Sequence, residues 1–302
     1  MTIKLPGKIM AHRVLSRGAN GWVYQINDRI ALKYSRTPNS EAIAKENDMF
    51  DIFEKHPPCP YIIQSFLRLP NAKFLAFMSG GSLYDRLKPY QTRDEPFGKV
   101  LCVTKTEPVE LVEQWLKELC SAVVWLESLD YVHGDLRPNN LLLDKDHLKL
   151  ADFDCAEKVG EPSSGNAAPW ARVLGEDADL VGGRRGSWGI NGPRTEQFAI
   201  GSNLYFMQYG FEPYEDRDDR GPVIVDLLQD MKFPKLRDNH LDSIIARFWQ
   251  GRYQQLKDLL EEVEALGGIP PSSETGIISR EDFVTGRKEC EALVKDGLLG
   301  ST

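Results

Sequence analysis

His133-Gly134-Asp135-Leu136-Arg137-Pro138-Asn139-Asn140-Leu141-Leu142-Leu143, followed after four intervening residues by Leu148-Lys149-Leu150-Ala151-Asp152-Phe153-Asp154, is the stretch on which the reading turns. An Asp, an Asn five residues on, and a second Asp beyond an apolar strand are what phosphoryl transfer asks of a chain. One carboxylate orients an attacking hydroxyl, while an amide and another carboxylate hold Mg²⁺ against the phosphates. Positioning and charge neutralisation supply most of the rate, so few residues suffice. A polar loop in which Asp135 and Asn140 merely cap turns is the alternative, and Asp152 at that distance weighs against it.

Outward from this stretch the texture differs on the two sides. Before it, Arg13–Leu15, Trp22–Ile26, Ile30–Tyr34, Ile62–Leu69 and Phe74–Phe77 read as strands, with Asn27-Asp28-Arg29 as a hairpin turn. Residues 40–53 carry Ala42, Ile43, Met49, Phe50 and Phe53 at helical spacing, and Pro57, Pro58 and Pro60 close that helix. From Pro108 the pattern is helical: Val109–Leu129, Ile190–Tyr209, Val223–Met231, Leu241–Trp249, Leu256–Leu266, and an amphipathic tail helix over Ile278–Leu299. Pro89–Glu107 and Glu157–Gly192 lack a period. The expected fold is α+β and two-lobed: a small β-rich lobe over residues 10–78, a mainly helical lobe over 79–266, and a tail over 267–302.

His133–Asn140 and Asp152-Phe153 resemble the H-R-D-L-x-x-x-N and D-F-G patterns of the eukaryotic protein kinase family. That resemblance implies the two-lobed kinase fold, ATP with Mg²⁺ (Mn²⁺ as an alternative), Asp135 as base, and Asn140 with Asp152 on the metal. Other parts follow. Ser16-Arg17-Gly18-Ala19-Asn20-Gly21-Trp22-Val23 resembles the glycine-rich loop, with Ser16 at the first glycine, where backbone N–H groups approach phosphates. Ala31-Leu32-Lys33 resembles V-A-I-K, implying Lys33 on the α/β-phosphates. Glu46 is its expected partner, with Glu41 as the alternative; Glu46 shares a face with Ala42, Ile43 and Phe50. Leu75, Ala76, Phe77 and Met78 resemble the interlobe hinge that receives adenine, and Leu142 joins the nucleotide set. Glu196 stands in a segment, Thr195–Ser202, that resembles the family's central helix, usually begun by Asp. Gly192–Ser202 also resembles a run in compact kinase-like proteins of filamentous fungi.

The departures matter as much. Gly134 replaces the arginine that grips an activation-loop phosphate, so switching by that route is not expected. Arg137 stands where a lysine neutralises the γ-phosphate, keeping the charge as a planar fork. Asp154 replaces the glycine of D-F-G, and no A-P-E triplet occurs. Arg184-Arg185-Gly186-Ser187 has the look of a basophilic phosphorylation site, though a chance match in a loop explains it as well. His133, Trp115, Trp125 and Trp249 read as supporting or core residues.

Three functions remain open on these residues: an ATP-dependent protein Ser/Thr kinase, a small-molecule kinase of the aminoglycoside or choline kinase sort, and a nucleotide-binding pseudokinase scaffold. The acceptor is a protein or a small-molecule hydroxyl. Composition narrows the partners: 302 residues with 37 Lys plus Arg against 45 Asp plus Glu give a net charge of −8, a poor match for nucleic acid or an anionic membrane. No run of about 18 uncharged apolar residues occurs, and the first residues lack a secretory core. Five scattered cysteines read as reduced thiols, hence a cytoplasmic or nuclear setting.

Overall fold

The computed structural model describes residues 6–300 apart from 38–39, 96–97, 220 and 267–277. Its first part is a five-stranded antiparallel sheet built from β1 (Arg13–Arg17), β2 (Gly21–Gln25), β3 (Ile30–Ser35), β4 (Ser65–Leu69) and β5 (Ala72–Ala76), in the order β1-β2-β3-β5-β4. Helix α1 (Glu41–Phe53) crosses between β3 and β4. Ser40 caps it, its hydroxyl accepting from the Ile43 N–H, and Ile43, Glu46, Met49, Phe50 and Phe53 form its buried face. The strand expected over Ile62–Leu69 starts only at Ser65. Ile62 and Ile63 turn instead to Leu150 of the helical part, the Ile63 N–H donating to the Leu150 carbonyl at 3.0 Å.

Beyond the hinge come α2 (Leu83–Leu87), β6 (Gln91–Arg93), β7 (Val100–Val103), α3 (Val109–Ser128), β8 (Tyr131–Val132), β9 (Leu141–Asp144), β10 (His147–Leu150), β11 (Glu157–Lys158), α4 (Pro193–Tyr209), α5 (Pro222–Gln229), α6 (His240–Trp249), α7 (Leu256–Glu264) and α8 (Arg280–Lys295). Helix α4 is buried nearly all round, as its sequence of Phe198, Ile200, Leu204 and Phe206 requires, and α3 and α6 pack on it. Trp115 and Trp249 are buried core residues, and Trp125 packs at the core edge with its indole N–H on the Pro57 carbonyl. Residues 89–107, aperiodic in sequence, hold the β6–β7 hairpin. The architecture is the expected α+β two-lobed one.

The lobes meet where the hinge lies against the β9–β10 hairpin. The Gly80 N–H donates to the Leu143 carbonyl at 2.9 Å and the Leu143 N–H to the Gly81 carbonyl at 2.8 Å. A Cβ on Gly80 would stand 2.8 Å from that carbonyl oxygen, so only glycine lets the strands close. Helix α8 packs on β4, with Phe283 against Phe66 and Glu289 bound to Asn27 and Arg29. Among the described residues no helix is long and apolar enough to cross a membrane.

Candidate active site

The segment from β8 to β11 folds back on itself, and this return brings the acids together. Glu157 pairs with Val132 at one end, β9 pairs with β10 in the middle, and the Ala151 N–H donates to the Asn140 carbonyl at 3.0 Å. Asn140 and Asp152 thereby sit on adjoining segments. Asn140 spends its amide nitrogen on the Asp135 carbonyl oxygen and on Asp135 Oδ2, both at 2.8 Å, which leaves its amide oxygen as a ligand. That oxygen and the Asp152 carboxylate are the hard donors Mg²⁺ takes, so this pair fits the ion.

Asp135 is buried, and three side chains fix its carboxylate. Asn140 holds Oδ2, Arg137 Nε stands 3.1 Å from the same oxygen, and Asn166 Nδ2 donates to Oδ1 at 2.5 Å. Asn166 belongs to the aperiodic loop between β11 and α4, and no sequence motif marked it. It also lines a groove of about 620 Å³ with Ala167, Ala168, Trp188, Ile224 and Val225.

His133 supports this turn. Its Nδ1 accepts the Asp135 N–H at 3.2 Å, so its Nε2 carries the proton and donates to the Ala151 carbonyl at 3.0 Å. Burial holds the ring below the usual histidine range, against the pull of Asp135. Both nitrogens are spent, which leaves His133 no part in proton transfer. Glu196 on α4 accepts the N–H groups of His133 and Gly134 at 2.9 and 3.4 Å. Burial pushes its carboxyl up to about 7 although these two bonds pull it down.

Gly134 has φ +76°, and a Cβ there would stand 2.5 Å from the Cys155 carbonyl oxygen. The family arginine cannot be grafted onto this backbone. Gly134→Ala should lower unfolding stability by about 3 kcal/mol or more, combining left-handed strain with a backbone clash. Urea unfolding measures it, and an unchanged midpoint would show that the Cys155 segment yields.

On the sheet side, Lys33 Nζ donates to Glu46 Oε2 at 2.7 Å and to Asp152 Oδ1 at 2.5 Å, with Asp154 Oδ2 at 3.9 Å. Burial alone would lower Lys33; Glu46, Asp152 and Asp154 outweigh it and hold the ammonium above the usual lysine range. Burial likewise opposes the charge on Glu46, and Lys33 and Lys73 overcome it, holding the carboxyl below its usual range. Burial pushes Asp152 up, aided by Glu46 and Asp154 and opposed by Lys33. Glu46, not Glu41, meets Lys33; Glu41 is exposed in the first turn. Asp154 is turned to the loop above, where Asn20 Nδ2 donates to its Oδ2 at 2.8 Å.

The remaining expected nucleotide residues frame the space beside this cluster. Ser16 is exposed on β1, Gly18 and Gly21 flank the β1–β2 turn, and the Gly18 N–H donates to the Gly21 carbonyl at 2.9 Å. Val23 is half-buried on β2, directly opposite Lys33, and Ala31 is buried opposite Leu75. In the hinge, the Ala76 N–H is spent on the Gln64 carbonyl and the Phe77 N–H on the Arg29 carbonyl. The Met78 N–H has no partner among the described residues and remains available to a base edge. Leu142 bridges to Ser82 below the hinge. Ser187 is tied into a turn, its hydroxyl donating to the Arg184 carbonyl at 2.6 Å, and Arg185 pairs with Glu176.

Sheet lobe, helical lobe and the acids between them define a protein-kinase-like chain. The family model described as protein kinase domain matches residues 11–266, and the chain belongs to that family. It is 36% identical to human myotonin-protein kinase over 112 residues, 35% of this chain and 18% of that protein. It is 27% identical to mitogen-activated protein kinase kinase 10 of Arabidopsis thaliana over 189 residues, 59% of this chain and 54% of the relative. Over 131 residues it is 30% identical to the human cAMP-dependent protein kinase catalytic subunit PRKX, 43% of this chain and 34% of that one. The chain thus spans about half or less of the length of each of these relatives.

Proposed function

We propose that this chain is an ATP-dependent protein kinase of the Ser/Thr type. The observation that carries the reading is the convergence of three separate segments: Lys33 of β3 meets Glu46 of α1 and Asp152, whose segment is tied to that of Asn140 and Asp135. The family model and the kinase relatives support it. Adenine would lie between Ala31, Val23 and Leu142, with its edge on the Ala76–Met78 backbone and Leu75 behind. Backbone amides of the Ser16–Gly21 turn and Lys33 would face the phosphates. Asn140 and Asp152 would hold Mg²⁺ or Mn²⁺, which supplies charge neutralisation on the phosphates.

Asp135 would receive the hydroxyl proton as that oxygen bonds to the γ-phosphorus and the bond to the β–γ bridging oxygen breaks. Arg137, 3.1 Å from Asp135, places a cation where the transferred group passes. The groove reached through Asn166 is open and mostly apolar, and it favours a peptide running past the base over a compact metabolite. The five free cysteines favour a reducing compartment, the cytoplasm or the nucleus.

The test is incubation with labelled ATP, Mg²⁺, a peptide library and a panel of small hydroxyl metabolites. Label on Ser or Thr of peptides, or on the chain itself, is expected. Label on metabolites alone would replace the reading with a small-molecule kinase, and bound ATP with no label anywhere would replace it with a pseudokinase.

A further inference from the structure

Lys73 lies wholly within the protein, at 0% exposure, in the apolar run Ala72–Ala76 of β5. Strand register sets it directly opposite Lys33 on β3 and directly opposite Arg68 on β4. Directly opposed residues share a sheet face, so three cations stand side by side across the sheet. All three reach α1. Lys33 holds Glu46. Lys73 Nζ stands 2.5 Å from the same Glu46 Oε2 and 5.7 Å from the centroid of the Phe50 ring, one helical turn on. Arg68 pairs with Asp51 and Glu54 at the exposed end and also lies over Phe50.

Like charges directly opposed on a buried face repel, and desolvating a second ammonium is costly. Burial, together with Lys33 across the strand, pulls Lys73 down to about 8, with Glu46 opposing. An apolar side chain would fill the position more cheaply, so the lysine calls for another account. Phe50 supplies it, because its ring packs edge-on against Phe153, the residue after Asp152. A grip on Glu46 and Phe50 is therefore also a grip on the turn that carries the metal-site carboxylate.

We propose that Lys73 is a positioning residue that anchors Glu46 and Phe50 to the sheet, keeping α1 and the Asp152-Phe153 turn docked when Lys33 turns to the phosphates. This rests on the phosphotransfer reading of the cleft. In a site where Lys33 alone holds Glu46, helix position depends on that one bond. Here the carboxylate keeps a buried counter-charge of its own. Docking of α1 is then independent of the nucleotide, in keeping with a chain whose Gly134 leaves no arginine for an activation-loop phosphate.

The test joins nucleotide-free amide exchange of α1 with steady-state kinetics for wild type, Lys33→Met, Lys73→Met and the double variant. Lys33→Met should leave α1 exchange within about twofold of wild type, and the double variant should raise it about tenfold or more while α6 is unchanged. Lys73→Met should lower kcat about tenfold with KM for ATP within about threefold, and Lys73→Arg should recover part of the loss. The thermal midpoint of Lys73→Met should stay close to that of wild type, because Lys33 still pairs with Glu46 while an apolar chain replaces a desolvated charge.

The proposal is overturned if Lys33→Met frees α1 as fully as the double variant does. It is equally overturned if Lys73→Met keeps parental kcat, or loses activity only in step with a lowered midpoint. Should Lys73→Met not fold, exchange in Lys33→Met decides alone: protection of α1 supports the anchor and release refutes it. A wild-type protein that transfers no phosphate would sink the phosphotransfer reading, while the exchange comparison still decides what Lys73 holds.

Discussion

Replacing Asp135 with Asn should leave ATP bound with affinity within about threefold of the parent and cut transfer by about 10³. Asp135 is not itself among the residues expected to hold the nucleotide. Its carboxylate is held by Asn140, Arg137 and Asn166, so the substituted side chain is confined to the same place by the same neighbours. An amide there cannot take the hydroxyl proton. Its nitrogen must also face the donor groups of Asn140 or Asn166, which loosens one of those bonds. Asn166→Ala separates the two effects, since it removes a bond to Oδ1 while the carboxylate remains, and a loss of about tenfold is expected. Single-turnover transfer from labelled ATP, with binding followed by ATP-dependent thermal shift, gives both quantities. Parental turnover in Asp135→Asn would take the role of base away from this residue.

How much of this site could be read from the chain depends on how each residue reaches it. Asp135, Asn140 and Asp152 are legible because one stretch of chain carries all three, and the apolar β9–β10 hairpin sets their separation. Glu46 is legible because helical phase put it on the buried face with Ile43 and Phe50. Asn166 is not, since the loop that delivers it has no period, and only the folded path from β11 to α4 brings it to Asp135. Lys73 left a trace, a lysine embedded in a run of apolar strand residues, but its meaning lies in the register of β3 against β5, which local sequence does not determine. The β6–β7 hairpin is not legible in the sequence for a related reason. Its strands are short and partly polar, and their register is interrupted between Thr92 and Arg93. Ile62 and Ile63 look like strand by composition, yet they pair with Leu150 across the lobe boundary, so the strand starts later than their side chains suggest. Glu196 lies in a segment that resembles the family's central helix, but that its carboxylate caps the His133 and Gly134 amides is a tertiary fact.

The two acids flanking Phe153 should separate sharply. Asp152→Ala is expected to reduce transfer by about 10³, and Asp154→Ala by less than about tenfold. Chemistry alone does not distinguish them, as both are carboxylates near Lys33. Their partners do. Asp152 Oδ1 receives Lys33 directly, and its segment is tied to that of Asn140 through the Ala151 N–H. Asp154 is 3.9 Å from Lys33 and turned up to Asn20 of the β1–β2 turn. Five charges crowd this end of the cleft: the cations Lys33 and Lys73, and the anions Glu46, Asp152 and Asp154. Removing Asp152 leaves cations and acids in balance, so ATP itself should still bind. What is lost is one of the two donors proposed for Mg²⁺. The readout that isolates this is the ATP-dependent thermal shift with and without Mg²⁺. Wild type and Asp154→Ala should show a larger shift when Mg²⁺ is present, whereas Asp152→Ala should show the Mg²⁺-free shift only. Lys33→Met should instead diminish the ATP shift at both conditions, because it withdraws a cation from the phosphates and leaves the metal donors in place. An Asp152→Ala protein whose ATP shift still grows with Mg²⁺ would move the metal to another set of donors, with Asp154 the first to examine.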